Sequence, residues 1–173
     1  MRILIAILSG AALACSAALT AAAAPPASPA RSAEPSSAAG FGWPLAPPPA
    51  VARPFEAPDS AFGPGHRGVD LVGEAGQPVL AAADGVVVHA GWLVDRAVVS
   101  VEHAGGLRTS YEPVAPAVAA GDRVARGQVI GHLEPGHPGC AHPACLHWGL
   151  REGERYRDPL ELIAPGRVRL LPW

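Results

Sequence analysis

From Phe41 to Ile163 the apolar residues come in short runs at period two, and glycine interrupts almost every run. A strand alternates its side chains between two faces, whereas a helix repeats every 3.6 residues. Only "DPLELI", Asp158 to Ile163, carries a helix-like spacing. The core must therefore be assembled from many short strands and tight turns. That restricts the fold to an all-β, single-domain β-sandwich or half-open barrel with a groove. The pair Asp84-Gly85, between "PVLAAA" and "GVVVHAGW", predicts one hairpin, and "AGG" between "AVVSVEH" and "LRTSYEPV" predicts a second. "GDRVARGQVIGHLE" adds a turn and a strand, and "ACLHWGL" supplies the last.

The chain has 173 residues, and its first forty read differently. Arg2 precedes an apolar run from Ile3 to Leu19, and small residues follow up to a proline pair, the layout of a secretory signal over residues 1–23. Two rival readings are acylation of Cys15, which follows "ALA", and an uncleaved anchor. Residues 24–40 are Pro, Ala and Ser with little to bury, a disordered spacer. One domain is expected over 41–163 and a short tail over 164–173. The expected location is outside the cytoplasm. All thirteen basic residues are arginine against fifteen acidic ones, so there is no basic stripe for nucleic acid and no lysine amine for Schiff-base or lysine-tethered chemistry. "GDRVARGQVIG" is similar to the turn of biotinyl- and lipoyl-type carrier domains, but the missing lysine removes that class. Export leaves Cys140 and Cys145, an even number in an oxidising compartment, which suggests one short-loop disulfide.

The last strand carries the first chemical signal. Leu146, Trp148 and Leu150 share one face, the core side, and Cys145, His147 and Gly149 share the other, so His147 is expected to point into a groove. Upstream, "GPGHRGVDL" places His66 and Asp70 four apart with Gly68 between them, and Val69 and Leu71 facing the core. Imidazole and carboxylate converging beside a glycine suit a divalent zinc ion. His66, Asp70 and His147 together would give three protein ligands and one open position, the form of a catalytic zinc site.

The combination of "GHRGVDL", "PVLAAADGVVV", "HAGGLRTSY", "GDRVARGQVIG" and "LHWGL" resembles the lysostaphin-type (LytM-like) family of zinc endopeptidases that cut peptidoglycan cross-bridges. The likeness runs from about Gly42 to Ile163. It implies the lysostaphin-type peptidase fold (duplicated hybrid motif-like), one Zn2+ per chain held by His66, Asp70 and His147, and peptidoglycan peptide as the partner, in cell-wall remodelling outside the cytoplasm. It also implies two non-ligand catalytic histidines, and here the sequence departs. Cys145 stands at one position, and Glu112 or Pro113 at the other. Glu112 is the candidate general base, against the simpler reading of a rim residue. A non-hydrolytic relative that binds wall peptides, or regulates another cell-wall enzyme, is the alternative function.

Cys145 has three possible roles: a disulfide with Cys140, a fourth zinc ligand, or a nucleophile. His142 and Tyr111 are groove candidates, although Tyr111 and Trp148 more often fill a core or wall. His137 and His142 lie on the loop leading to the last strand, where either could supply an imidazole to the groove, although a surface-loop histidine is the stronger expectation; His89 and His132 are expected as solvent-facing, and His103 as structural.

Overall fold

The computed structural model describes residues 40–60 and 63–163. The expected signal segment, most of the spacer, Cys15 and the tail lie outside them. The alternating runs form eleven strands among the described residues: β1 (Val51–Arg53), β2 (Gly68–Gly73), β3 (Pro78–Leu80), β4 (Gly85–Leu93), β5 (Arg96–Glu102), β6 (Leu107–Glu112), β7 (Val114–Pro116), β8 (Arg123–Val124), β9 (Val129–Leu133), β10 (Ala144–Glu152) and β11 (Arg155–Arg157). The main sheet runs β1-β2-β10-β6-β5-β4-β8, with β11 paired to β10, and a three-stranded sheet runs β3-β9-β7. Every pairing is antiparallel. The fold is nearly all-β, as the period-two pattern requires. The helix-like "DPLELI" becomes a short 3-10 turn, Pro159–Leu162, opened by Asp158, whose carboxylate accepts from the Leu160 N–H at 2.9 Å.

One core lies between the two sheets. Val69, Leu71, Val99, Val101, Tyr111, Leu146 and Trp148 come from the main sheet, and Val79, Val114, Ile130 and Leu133 from the small one. Val69, Leu71, Leu146 and Trp148 are fully buried, so the face assignments read from strand alternation hold for both β2 and β10.

The hairpin expected at Asp84-Gly85 does not form. β3 and β4 belong to different sheets, so this pair sits in a crossover. The crossover is pinned by longer-range bonds than a two-residue turn provides. The Asp84 carboxylate accepts from the Arg126 N–H at 2.7 Å, and the Ala82 N–H donates to the Tyr111 hydroxyl at 3.0 Å. A Cβ at Gly85 would lie 2.5 Å from the Glu102 carbonyl oxygen, so glycine is needed there for close backbone approach rather than for a turn. The hairpin expected around "AGG" does form, joining β5 to β6.

His103 ties the same crossover down. Its Nδ1 donates to the Asp84 carbonyl at 2.9 Å, and its Nε2 lies 2.7 Å from the Thr109 hydroxyl. Burial pushes its pKa below the usual histidine value, more than the neighbouring Asp84 groups raise it. The unfolded chain therefore binds a proton that the folded chain resists, so stability is full above the unfolded pKa of about 6.5 and declines as pH falls below it. His103→Gln is expected to flatten the dependence of Tm on pH between about 7 and 5.5 relative to the wild type. An unchanged slope would show that His103 does not contribute to it.

Candidate metal centre

The register of β10 builds the site. His147 pairs with Asp70 on β2 and with Glu112 on β6, Trp148 pairs with Val69 and Tyr111, and Gly149 pairs with Gly68 and Ser110. Because alternate residues share a face, the same register that buries Trp148 and Tyr111 turns His147, Asp70 and Glu112 to the opposite side. His66 precedes β2 and is held by a two-bond bridge to Glu56, at 3.0 and 2.8 Å.

Three ligating atoms converge. His66 Nε2 lies 3.0 Å from Asp70 Oδ1, His147 Nδ1 lies 2.9 Å from the same oxygen, and the two nitrogens are 3.0 Å apart. Asp70 is almost wholly buried, at 1 % exposure. Burial by itself would raise its carboxyl pKa. Hydrogen bonds from His137 and His147 override it and hold the group well below the usual carboxylate range.

The tautomer of His66 gives this cluster its meaning. Its Nδ1 lies 2.7 Å from the Pro54 carbonyl oxygen, which can only accept, so Nδ1 carries the proton. In the neutral ring Nε2 is then a bare lone pair, directed at a carboxylate oxygen and at a second imidazole nitrogen. Two acceptors at 3.0 Å repel unless a cation lies between them. A histidine that ligates a metal with one nitrogen and donates to a carbonyl with the other shows this pattern. Ligand atoms about 2.0–2.1 Å from a tetrahedral zinc ion stand about 3.3 Å apart, close to the separations here. The donor set, two imidazoles and a carboxylate, fits zinc.

Gly68 makes room for it. A Cβ there would lie 2.7 Å from His147 Nε2 and 2.5 Å from the Trp148 carbonyl oxygen. Gly68→Ala must push the His147 ring or β10 itself. It is expected to weaken zinc binding by about 10–100-fold, the range seen when the support of a ligand is disturbed. Competition with a chromophoric chelator measures this, and unchanged affinity would mean that the His147 ring is not bound to its place over Gly68.

The expectation for His137 is corrected. It is 10 % exposed, not a surface-loop residue, and its Nε2 lies 3.1 Å from Asp70 Oδ1. His66, Asp70, His137 and His147 form a group whose ligating atoms all lie within 4.8 Å of one another. The turn after His137 explains how a loop residue arrives there. The Cys140 N–H donates to the His137 carbonyl at 3.2 Å across Pro138-Gly139, and Gly139 has φ 80°. Proline then glycine at the centre of such a turn is the type II pattern. Cys140 is bonded to Cys145 with an S–S distance of 2.02 Å, which anchors the turn two residues before His147. The signal in the sequence was "HPGC", a tight turn running straight into a half-cystine.

The disulfide removes Cys145 as a zinc ligand or free nucleophile. Tyr111 is fully buried in the core and is not a groove residue, because it shares the face of Trp148. His142 is exposed and outside the four-residue group, and so is His132, while His89 is half-buried. Glu112 faces the same side as His147, and its carboxylate accepts from Arg96 Nε at 3.2 Å. Beside the cluster a cleft of about 300 Å³ is lined by Trp92, Arg96, Pro113, Glu134 and His137, among others.

The model of peptidase family M23 matches residues 64–159, more than half of the chain and every residue of the cluster. The chain belongs to peptidase family M23. An uncharacterized protein of Mycobacterium tuberculosis is 54 % identical over 135 residues, which cover 76 % of this chain and 54 % of that protein. The chain thus spans about half the length of the curated relatives it matches. Among solved structures, a chain of the SpoIIQ–SpoIIIAH pore-forming complex shares 26 % identity with a TM-score of 0.60, covering 71 % of this chain and 90 % of that one. The catalytic domain of the antimicrobial peptidase lysostaphin from Staphylococcus simulans shares 23 % identity with a TM-score of 0.57, covering 68 % of this chain and 93 % of that one, and supports the M23 fold.

Proposed function

We propose that this M23 protein is exported, binds one zinc ion at His66, Asp70 and His147, and acts as a metalloendopeptidase-like protein on the peptide part of bacterial peptidoglycan, with hydrolysis slowed by an altered acid–base set. The observation that carries this reading is the His66 Nε2 lone pair turned onto the Asp70 carboxylate and His147 Nδ1, an arrangement that calls for a cation. Zinc, when bound, supplies Lewis-acid polarisation of a peptide carbonyl and acidifies water. The chain's own residues do the rest. Pro54 and Gly68 orient the two ligand rings, and Asp70 brings the negative charge. The cleft beside the cluster is at the lower end of the roughly 300–1,000 Å³ typical of ligand pockets and is bordered by Arg96 and Glu134, which suit the charged termini and amides of a short peptide.

The acid–base group is where the chain departs. Cys145, at one of the two family positions, is locked in a disulfide. Glu112 is the carboxylate that faces the His147 side, but Arg96 holds it. A positioned acid or base contributes about 10²–10⁴-fold, so turnover is expected to be low. These two facts also favour a second reading, a non-hydrolytic wall-binding protein or regulator of another cell-wall enzyme. One neighbour in fold is a chain of the SpoIIQ–SpoIIIAH pore-forming complex.

The test is to incubate the zinc-loaded mature protein with purified cell wall and count new amino termini. Slow, chelator-sensitive release supports the peptidase reading. Binding to wall without release supports the second reading, and neither binding nor release contradicts both.

A further inference from the structure

We propose that His137 is a fourth, replaceable protein ligand of the metal, so that the loop bearing it closes the site at rest and must withdraw before a peptide can be reached. This rests on the reading that His66, Asp70 and His147 hold zinc.

Four observations carry it. His137 Nε2 lies 3.1 Å from Asp70 Oδ1, the oxygen already approached by His66 at 3.0 Å and His147 at 2.9 Å. Three ring nitrogens on one carboxylate oxygen exceed what its lone pairs accept well, and the His66 nitrogen has no proton to give. A central cation satisfies all four atoms together. Three histidines with one carboxylate fill all four positions of a tetrahedral zinc ion and leave none for water, whereas catalytic sites keep a position open. The His137 ring also stacks on the His147 ring, with centroids 5.5 Å apart and planes 25° apart.

His137 is also less secured than His66. His66 is fixed through Nδ1 by the Pro54 carbonyl, but His137 Nδ1 is buried with no hydrogen-bond partner. A ligand without an outer partner is oriented less firmly and binds more weakly. His137 borders the 300 Å³ cleft as well as the cluster, so a peptide held in the cleft lies against this residue. The Pro138-Gly139 turn and the Cys140–Cys145 bond set how far the loop can move, because they join His137 to β10 beside His147. The disulfide thus takes the place of a catalytic side chain with a tether that holds the cap in position.

The full chain loaded with one equivalent of cobalt(II) tests this, because its visible spectrum reports coordination and azide reports an open position. Azide is expected to leave the wild-type spectrum unchanged and to alter that of His137→Ala. His137→Ala should still bind one cobalt ion, but at least about tenfold more weakly, since even loss of an outer partner costs about 10–100-fold. Cys140→Ala with Cys145→Ala, which keeps His137 and frees its loop, should show an intermediate azide response. An azide response in the wild type equal to that of His137→Ala, or equal cobalt affinity in the two, overturns His137 as a ligand and leaves the three-ligand site standing. A wild-type chain that takes up no cobalt, or a His147→Ala chain that takes up a full equivalent, overturns the metal reading and this proposal with it.

Discussion

Asp70→Asn is expected to abolish zinc binding while leaving the protein folded. The amide has the shape of the carboxylate but no charge, and Asp70 is the only anion in the group of four. Its buried position means that nothing from solvent replaces that charge. The fold should survive because the amide oxygen still accepts from His147 and the amide NH2 can donate to the His66 lone pair, a hydrogen bond worth about 1 kcal/mol. Zinc at a hundredfold excess over its Kd should stabilise the wild type by about 2.7 kcal/mol and leave the variant unchanged. Thermal unfolding with and without zinc measures both. An equal zinc-induced rise in Tm for the two proteins would place the metal elsewhere.

Rebuilding the missing imidazole should produce the largest gain. Cys145 and His147 lie on the same face of β10, two residues apart, so Cys145→His directs a second ring to the side of the metal ligands. Cys140→Ala must accompany it to avoid a stranded thiol. Removing the disulfide alone also frees the His137 loop, so Cys140→Ala with Cys145→Ala is the necessary control. Against that control, the histidine variant is expected to hydrolyse purified cell wall about 10²-fold faster or more, the contribution of one positioned acid–base group. Equal rates in the two variants, both folded and zinc-loaded, would favour the wall-binding or regulatory reading.

What the sequence made legible follows from the reach of each signal. Alternation along β10 placed Trp148 in the core and His147 opposite it, because strand sidedness is a local property fixed by the period of two. His66 and Asp70 were legible for the same reason, with Gly68 beside them. The Asp84-Gly85 turn was misread because a turn dipeptide does not reveal which strands pair, and here Gly85 leads into β4 of a different sheet from β3. The real hairpin joins β4 to β5 through Val94 and Asp95, where Val94 adopts φ 62°. No turn-favouring glycine marks that spot, so it left no signal. His137 was ranked as a surface residue before a groove one because its position is set by a chain of tertiary links, the Pro138-Gly139 turn, the disulfide and the register of β10. Tyr111 was left between wall and groove until its pairing with Trp148 fixed its face.

Anomalous scattering at the zinc edge, from crystals of the zinc-loaded full chain, puts the metal centre to its most direct test. One peak per chain is expected, within about 2.0–2.2 Å of His66 Nε2, Asp70 Oδ1 and His147 Nδ1. A peak bound by other residues, or no peak in protein shown to be folded, would contradict the assignment.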